Sequence, residues 1–319
     1  MSIRPPREGL EHISQPKLQK VNLFRRKFLA GAGLAGAAMI LGGVGGLARR
    51  AAGGTTFPST ITDTDILNFA LNLEYLEAEF YLRASTGTGL PDSAVTGTGT
   101  LGTVTGGAQV PFQIASVREY ASAIAADEQN HVLDIRAALG ADAVARPNIN
   151  IQRAITDAAV AAGIISSGQI FEPYANDENF LLSAFVFEDV GVTAYHGAAT
   201  AITDPAVLND AAGILAVEAY HAGVIRAVLY SLGQDDPGLI TNANLISALR
   251  AGADGDASAN GHDTPLTASN GDVNIVAEDP TTSIAYARTF REVLRIVYLG
   301  NAPGTGGGFF PNGMNGAIT

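Results

Sequence analysis

An all-α fold is what this sequence predicts: a four-helix bundle with a long crossover, extended loops and one additional C-terminal helix. Three observations lead there. Four long segments, 62–84, 115–139, 177–200 and 205–232, repeat apolar residues at the 3.6-residue helical period. The connection between the second and third is long enough to be the crossover that some four-helix bundles need. No GxGxxG fingerprint follows a strand and no GxSxG elbow occurs, so neither of those α/β site signatures competes.

The elements follow in chain order. Residues 1–55 read as an export signal and linker. Arg25-Arg26-Lys27-Phe28-Leu29 closes a basic region, and an Ala/Gly-rich apolar stretch follows to Ala48. Twin arginines before Phe-Leu and a weakly hydrophobic core resemble a twin-arginine signal. The alternative is a membrane anchor, which the seven glycines from Gly31 to Gly46 disfavour. The implied partner is the twin-arginine export machinery, and the implied location is periplasmic or extracellular. That route carries folded proteins, often with a cofactor already loaded.

The bundle is expected over 56–235. Thr62 or Thr64 with the aspartates after it starts the first helix, and Gly140 and Gly233 close the second and fourth. The Gly/Thr-rich stretch 85–111 is too poor in apolar side chains to be helical, and a short helix fits 151–164. Residues 236–319 read as an extension: a Gly/Asn/Asp-rich loop, then a fifth helix, TTSIAYARTFREVLRIVYLG, packing on the bundle.

Charge and composition narrow the chemistry. Hydrophobic residues make up 47% and charged residues 16%, which describes a packed chain and not a disordered one. The net charge is −12, but the first fifty residues carry nine of the 19 Lys/Arg and only two of the 31 Asp/Glu, leaving the rest near −19. A body that acidic excludes nucleic acid as a partner, because phosphate binding needs a basic footprint. With no cysteine there is no disulfide, thiolate metal site or cysteine nucleophile.

The carboxylates inside the apolar helices carry the functional reading. Helix two contains Glu128 and His131, and helix four contains Glu218 and His221, both at i, i+3 spacing, which projects the pair from one helix face. Helices one and three each carry a Glu followed by a Tyr seven residues on: Glu74 with Tyr81, and Glu188 with Tyr195. Around Glu188 the same face holds Leu181, Ala184, Phe185 and Val192, so it points inward. An unpaired buried carboxylate is costly. Four carboxylates and two imidazoles, however, would neutralise two divalent cations, and iron or manganese suits such oxygen and nitrogen donors. The predicted ligands are Glu74, Glu128, His131, Glu188, Glu218 and His221, with Tyr81 and Tyr195 as hydrogen-bond donors or electron sources beside them. Glu77 is the alternative to Glu74. Asp127 and Asp189 are read as solvated or capping residues, with a hydrogen bond to a ligand imidazole as the alternative. His196 is rotated away from Glu188, His262 lies in a loop, and Tyr75, Tyr220 and Tyr230 are read as packing.

At these residues the sequence resembles the ferritin-like superfamily. Within it, the sequence is similar to exported ferritin-like proteins related to desiccation-related proteins. The segments that carry the likeness are NFALNLEYLEAEFYLRA, DEQNHV, FEDVGVTAYHGA, EAYHAGVIR and GGGFFPNGMNG. The resemblance implies a bundle with a dinuclear centre. Its expected function is reaction with O2 or H2O2, of ferroxidase or peroxide-scavenging type, in stress protection. The alternative is a structural, desiccation-protective bundle without redox activity. The long loops depart from cage-forming ferritins, and a smaller homo-oligomer stays open.

Overall fold

A computed structural model describes residues 60–256 and 261–319. The signal reading of 1–55 lies outside them. Seven helices occur among the described residues: α1 Asp63–Thr86, α2 Ala115–Leu139, α3 Ile151–Ala161, α4 Asp177–Ala199, α5 Pro205–Leu232, α6 Pro237–Ala253 and α7 Phe290–Val297. The all-α expectation holds. α1 packs chiefly on α2 and α4 on α5, and the two pairs close on each other to form the bundle.

The helix ends follow local chemistry. Thr62 and Asp65 form a capping box at the start of α1, and Gly87 in the left-handed conformation ends it. Asn176 caps α4, and Asp204 caps α5 with proline in its first turn. α1 and α4 are covered nearly all round. α5 is long and apolar enough to cross a membrane by length and composition, yet Glu218, His221 and Arg226 on it are buried in the bundle.

Beyond the end of α1 at Thr86, the 85–111 segment holds no α-helix, as expected, only a single 3-10 turn at Asp92–Ala94. Its strand β1 Val104–Thr105 pairs in parallel with β2 Ile149–Asn150, in the crossover just ahead of α3. A side chain at Gly102 would run into the backbone of Pro147 and Asn148, at 2.1–2.6 Å, so only glycine permits this approach.

The C-terminal region departs from the expectation in two places. The fifth helix is shorter than the segment suggested: Thr289 forms a capping box with Glu292, and the preceding residues make the small hairpin of β3 Glu278–Asp279 with β4 Ile284–Ala285. A helix absent from the sequence reading, α6, starts at Pro237 behind the cap Asp236. The tail then returns to α1, where Asn315 and Asn72 exchange hydrogen bonds of 2.8 and 3.1 Å.

What ties this region to the bundle is a buried ion network. Arg226 on α5 binds Asp189 of α4 through two nitrogens, at 2.8 and 2.9 Å. Arg250 on α6 bridges Asp189 and Asp263, at 2.7 and 2.8 Å. Arg288 reaches Asp263 and Asp254. Arg226 and Arg250 also lie over the Phe185 ring, at 5.1 and 4.4 Å from its centre. Three guanidiniums meet three carboxylates, which makes their burial tolerable. The reading of Asp189 as solvated or capping is thereby corrected: it is buried, and its partners are arginines and not an imidazole.

Candidate metal centre

Within the four long helices, the six predicted ligands converge on one point of the bundle axis. Glu74 comes from α1, Glu128 and His131 from α2, Glu188 from α4, and Glu218 and His221 from α5, and all six are buried. They form two overlapping sets of donors, each within 4.8 Å: Glu74, Glu128, His131 and Glu218, then Glu128, Glu188, Glu218 and His221. Glu128 and Glu218 belong to both sets, and Glu74 and Glu188 to one each.

Two physical readings of these contacts compete: carboxylate–imidazole hydrogen bonds, or a shell of ligands facing an ion. Nδ1 of His131 lies 3.2 Å from Glu74, 3.5 Å from Glu128 and 3.5 Å from Glu218. Nδ1 of His221 lies 3.0 Å from Glu128 and 3.6 Å from Glu188. One N–H cannot serve three oxygens well, and eight donor atoms of these six residues have no hydrogen-bond partner. Donors about 2.1 Å from one ion stand roughly 3.0–3.4 Å apart. The spacing and the orphaned atoms therefore fit metal ligation, and the donor set suits iron or manganese.

The electrostatics agree. Burial, followed by repulsion from Glu74, pushes the Glu128 carboxyl up to about 8. Burial and then Glu128 do the same to Glu218, also to about 8. Burial also dominates at Glu188, which is raised well above the usual carboxylate range. Only added positive charge lets all these groups ionise together.

Around the ligands, the two tyrosines pair crosswise. Tyr81 donates to Oε1 of Glu188, and Tyr195 donates to Oε1 of Glu74. Glu188 and Glu74 so each have one oxygen held and the other left without a partner. Burial first, and then the adjacent carboxylates, raise both phenols well above their ordinary range, so both stay protonated donors. Asp127 accepts from Nε2 of His221 at 3.2 Å, so the alternative of a bond to an imidazole is the one found there. That bond leaves Nδ1 directed at the cluster.

The remaining polar residues fall elsewhere. Glu77 is buried nearby but is in neither donor set. His196 binds the Tyr286 carbonyl, and His262 lies beside Asp256 in a loop. Tyr75 is core, with its hydroxyl on the Val144 carbonyl, and Tyr230 is half-buried, but Tyr220 is 79% exposed and packs on nothing inside. It follows Ala219 onto the outer face of α5, about 100° from His221.

Comparison with known proteins agrees with this architecture. Residues 62–231 match the ferritin-like domain family. The desiccation-related protein PCC13-62 of Craterostigma plantagineum is 35% identical over 202 residues, 59% of this chain; the match spans 61% of that relative's length. The ferritin-like catalase Nec2 of Nesocodon mauritianus is 30% identical over 272 residues, 80% of this chain and 84% of its own. No solved structure shows a significant match. With the bundle, its donor helices and more than half of its length matched, the chain belongs to the ferritin-like domain family.

Proposed function

We propose that this is an exported protein of two divalent metal ions, iron first and manganese as the alternative, that removes peroxide or reacts with O2 in stress protection. The observation that carries the reading is the pair of overlapping donor sets with eight unpartnered buried atoms. Such ions, when bound, would supply the electron exchange that dismutates two H2O2 into O2 and two waters, or that reduces O2 in a ferroxidase reaction. The printed names of the two relatives, one a catalase and one desiccation-related, lean the same way.

The chain's own residues have separable tasks in this reading. Glu74, Glu128, His131, Glu188, Glu218 and His221 would hold the ions, and the four carboxylates balance their four positive charges. Tyr81 and Tyr195 fix the terminal carboxylates and keep a proton at each phenol oxygen beside the centre. Asp127 orients His221. Twin-arginine export, carrying a chain already folded, would let the ions be loaded before the protein reaches the periplasm or the exterior.

A second reading, a protective bundle without redox chemistry, draws on the desiccation-related relative. Elemental analysis of untagged protein, beside Glu188→Ala, separates the two. About two iron or manganese per chain, lost in the variant together with peroxide or O2 consumption while helicity persists, is the expected result. A chain free of transition metal after metal-replete growth would sink the first reading in favour of the second.

A further inference from the structure

Beyond the ligands, a small recess abuts the cluster on the α1–α4 side. It has a volume of about 20 Å³, and Leu73, Leu76, Val186, Val190, Ile296 and Phe309 make its apolar wall. Glu77 and Gly191 also line it. That volume is enough for one small molecule and no more. Three of the lining residues, Ile296 and Val297 on α7 and Phe309 in the tail, come from the C-terminal region, which otherwise contributes nothing to the centre.

Gly191 is where recess and cluster meet. A Cβ built there would stand 2.5 Å from Oε2 of Glu218 and 3.5 Å from Oε1 of Glu77. Gly191 sits inside a regular helix and no left-handed backbone demands it, so the need is for space. Glycine in a helix interior weakens the helix, yet here it leaves the Glu218 carboxylate bare toward the recess. On the other side, between α2 and α5, the surroundings are polar: Asp127 is half-exposed there, and both imidazoles retain slight exposure.

We propose that the recess is the inlet for dioxygen, the apolar oxidant, and that cations and hydrogen peroxide reach the centre by the polar α2–α5 side instead. This rests on the two-ion reading above. A hydrated cation would have to shed its water against aliphatic walls, and hydrogen peroxide would leave its two hydroxyls unpaired there, whereas apolar, weakly hydrated dioxygen loses little. Val186 and Val190 lie one turn apart in α4 and form the part of the wall leading to Gly191, and Glu77 is the polar group awaiting the molecule at the inner end.

The test uses Val190→Phe and, as a second plug, Val186→Phe in the full-length protein. Four quantities are compared with wild type: metal content, the rate of Fe²⁺ or Mn²⁺ uptake by stripped protein, oxidant consumption at sub-saturating O2 and H2O2, and xenon occupancy in pressurised crystals. We expect unchanged content and uptake, at least a tenfold slower consumption of O2, and xenon seated in the wild-type recess but absent from the plugged ones. Slowing with O2 and not with H2O2 bears the assignment out, and slowing with H2O2 alone overturns it. Unaltered O2 consumption in plugged protein that excludes xenon overturns the inlet. Metal lost in parallel with the rate in both variants overturns it too, by making the wall a support for the ligands. A wild-type chain that takes up no metal removes the two-ion reading, and the inlet with it; the metal analysis tells that result from the others.

Discussion

Stripping the ions should reverse how stability depends on pH. In the metal-free chain, Glu128 and Glu218 titrate at about 8, against an ordinary value of 4.5. Each keeps its proton to a higher pH when folded than when unfolded, so the folded state loses stability as pH rises from 4.5 to 8. Carrying one carboxyl across that interval is worth about 5 kcal/mol at pH 8. Since Glu128 and Glu218 repel each other in one cluster, we count a single carboxyl. His131 works in the same direction: burial opposes its charging, but the nearby carboxylates of Glu128, Glu218 and Glu74 outweigh it and raise it, so its contribution fades above 6.5. Glu74 is lowered, its burial outweighed by His131, and so acts only below 4.5, outside this window. Between pH 5 and 8 about 3.5 kcal/mol of this is lost, and for a domain this size 1 kcal/mol moves Tm by about 2–4 °C, giving a drop of roughly 7–14 °C. Metal ligation needs the deprotonated groups, so two equivalents of ion should restore most of that loss at pH 8 and little of it at pH 5. Calorimetric melts at the two pH values, with chelator and with Mn²⁺, measure both effects. A chelated chain that melts as high at pH 8 as at pH 5 would refute the cluster's electrostatics as drawn.

Three other outcomes are expected. Asp127→Ala should lower metal affinity by about 10–100-fold in a chelator competition, because Nε2 of His221 loses its acceptor; an unchanged affinity would show that Asp127 does not orient the ring. Asp189→Ala leaves Arg226 and Arg250 buried without their shared carboxylate and should cost about 3–5 kcal/mol in thermal unfolding; a loss below about 1 kcal/mol would contradict the network's role in joining α6 to the bundle. Replacing Arg25 and Arg26 with lysine should retain the chain in the cytoplasm on fractionation, and undiminished export would rule out the twin-arginine route.

How far the sequence was legible depended on range. The four helices and the Glu-x-x-His spacing are local, and the period that buries one face also aligns the donors. The tyrosines show where locality ends. A Glu and a Tyr seven residues apart share a face but stand about 10.5 Å apart along the axis, too far to touch. Each therefore bonds the partner helix's residue, which spacing alone cannot reveal. Asp189 was misread for the same reason, its partners lying 37 and 61 residues away. Tyr220 was misplaced because α5 is apolar on its outer face as well, which blurs the inward stripe. The missed helix α6 did leave a signal, Asp236 before Pro237, a cap followed by the proline favoured at a first turn.

The crosswise tyrosines carry a consequence for assembly. Neither helical hairpin can complete its own half: α1 and α2 supply Tyr81 for a carboxylate on α4, while α4 and α5 supply Tyr195 for one on α1. Each half leaves a buried acid bare until the other arrives, so the two are obliged to dock in a single register. A slip of one helical turn would separate both pairs at once. The centre thus acts as a latch with two matched teeth, and a chain that closes it has verified its own alignment.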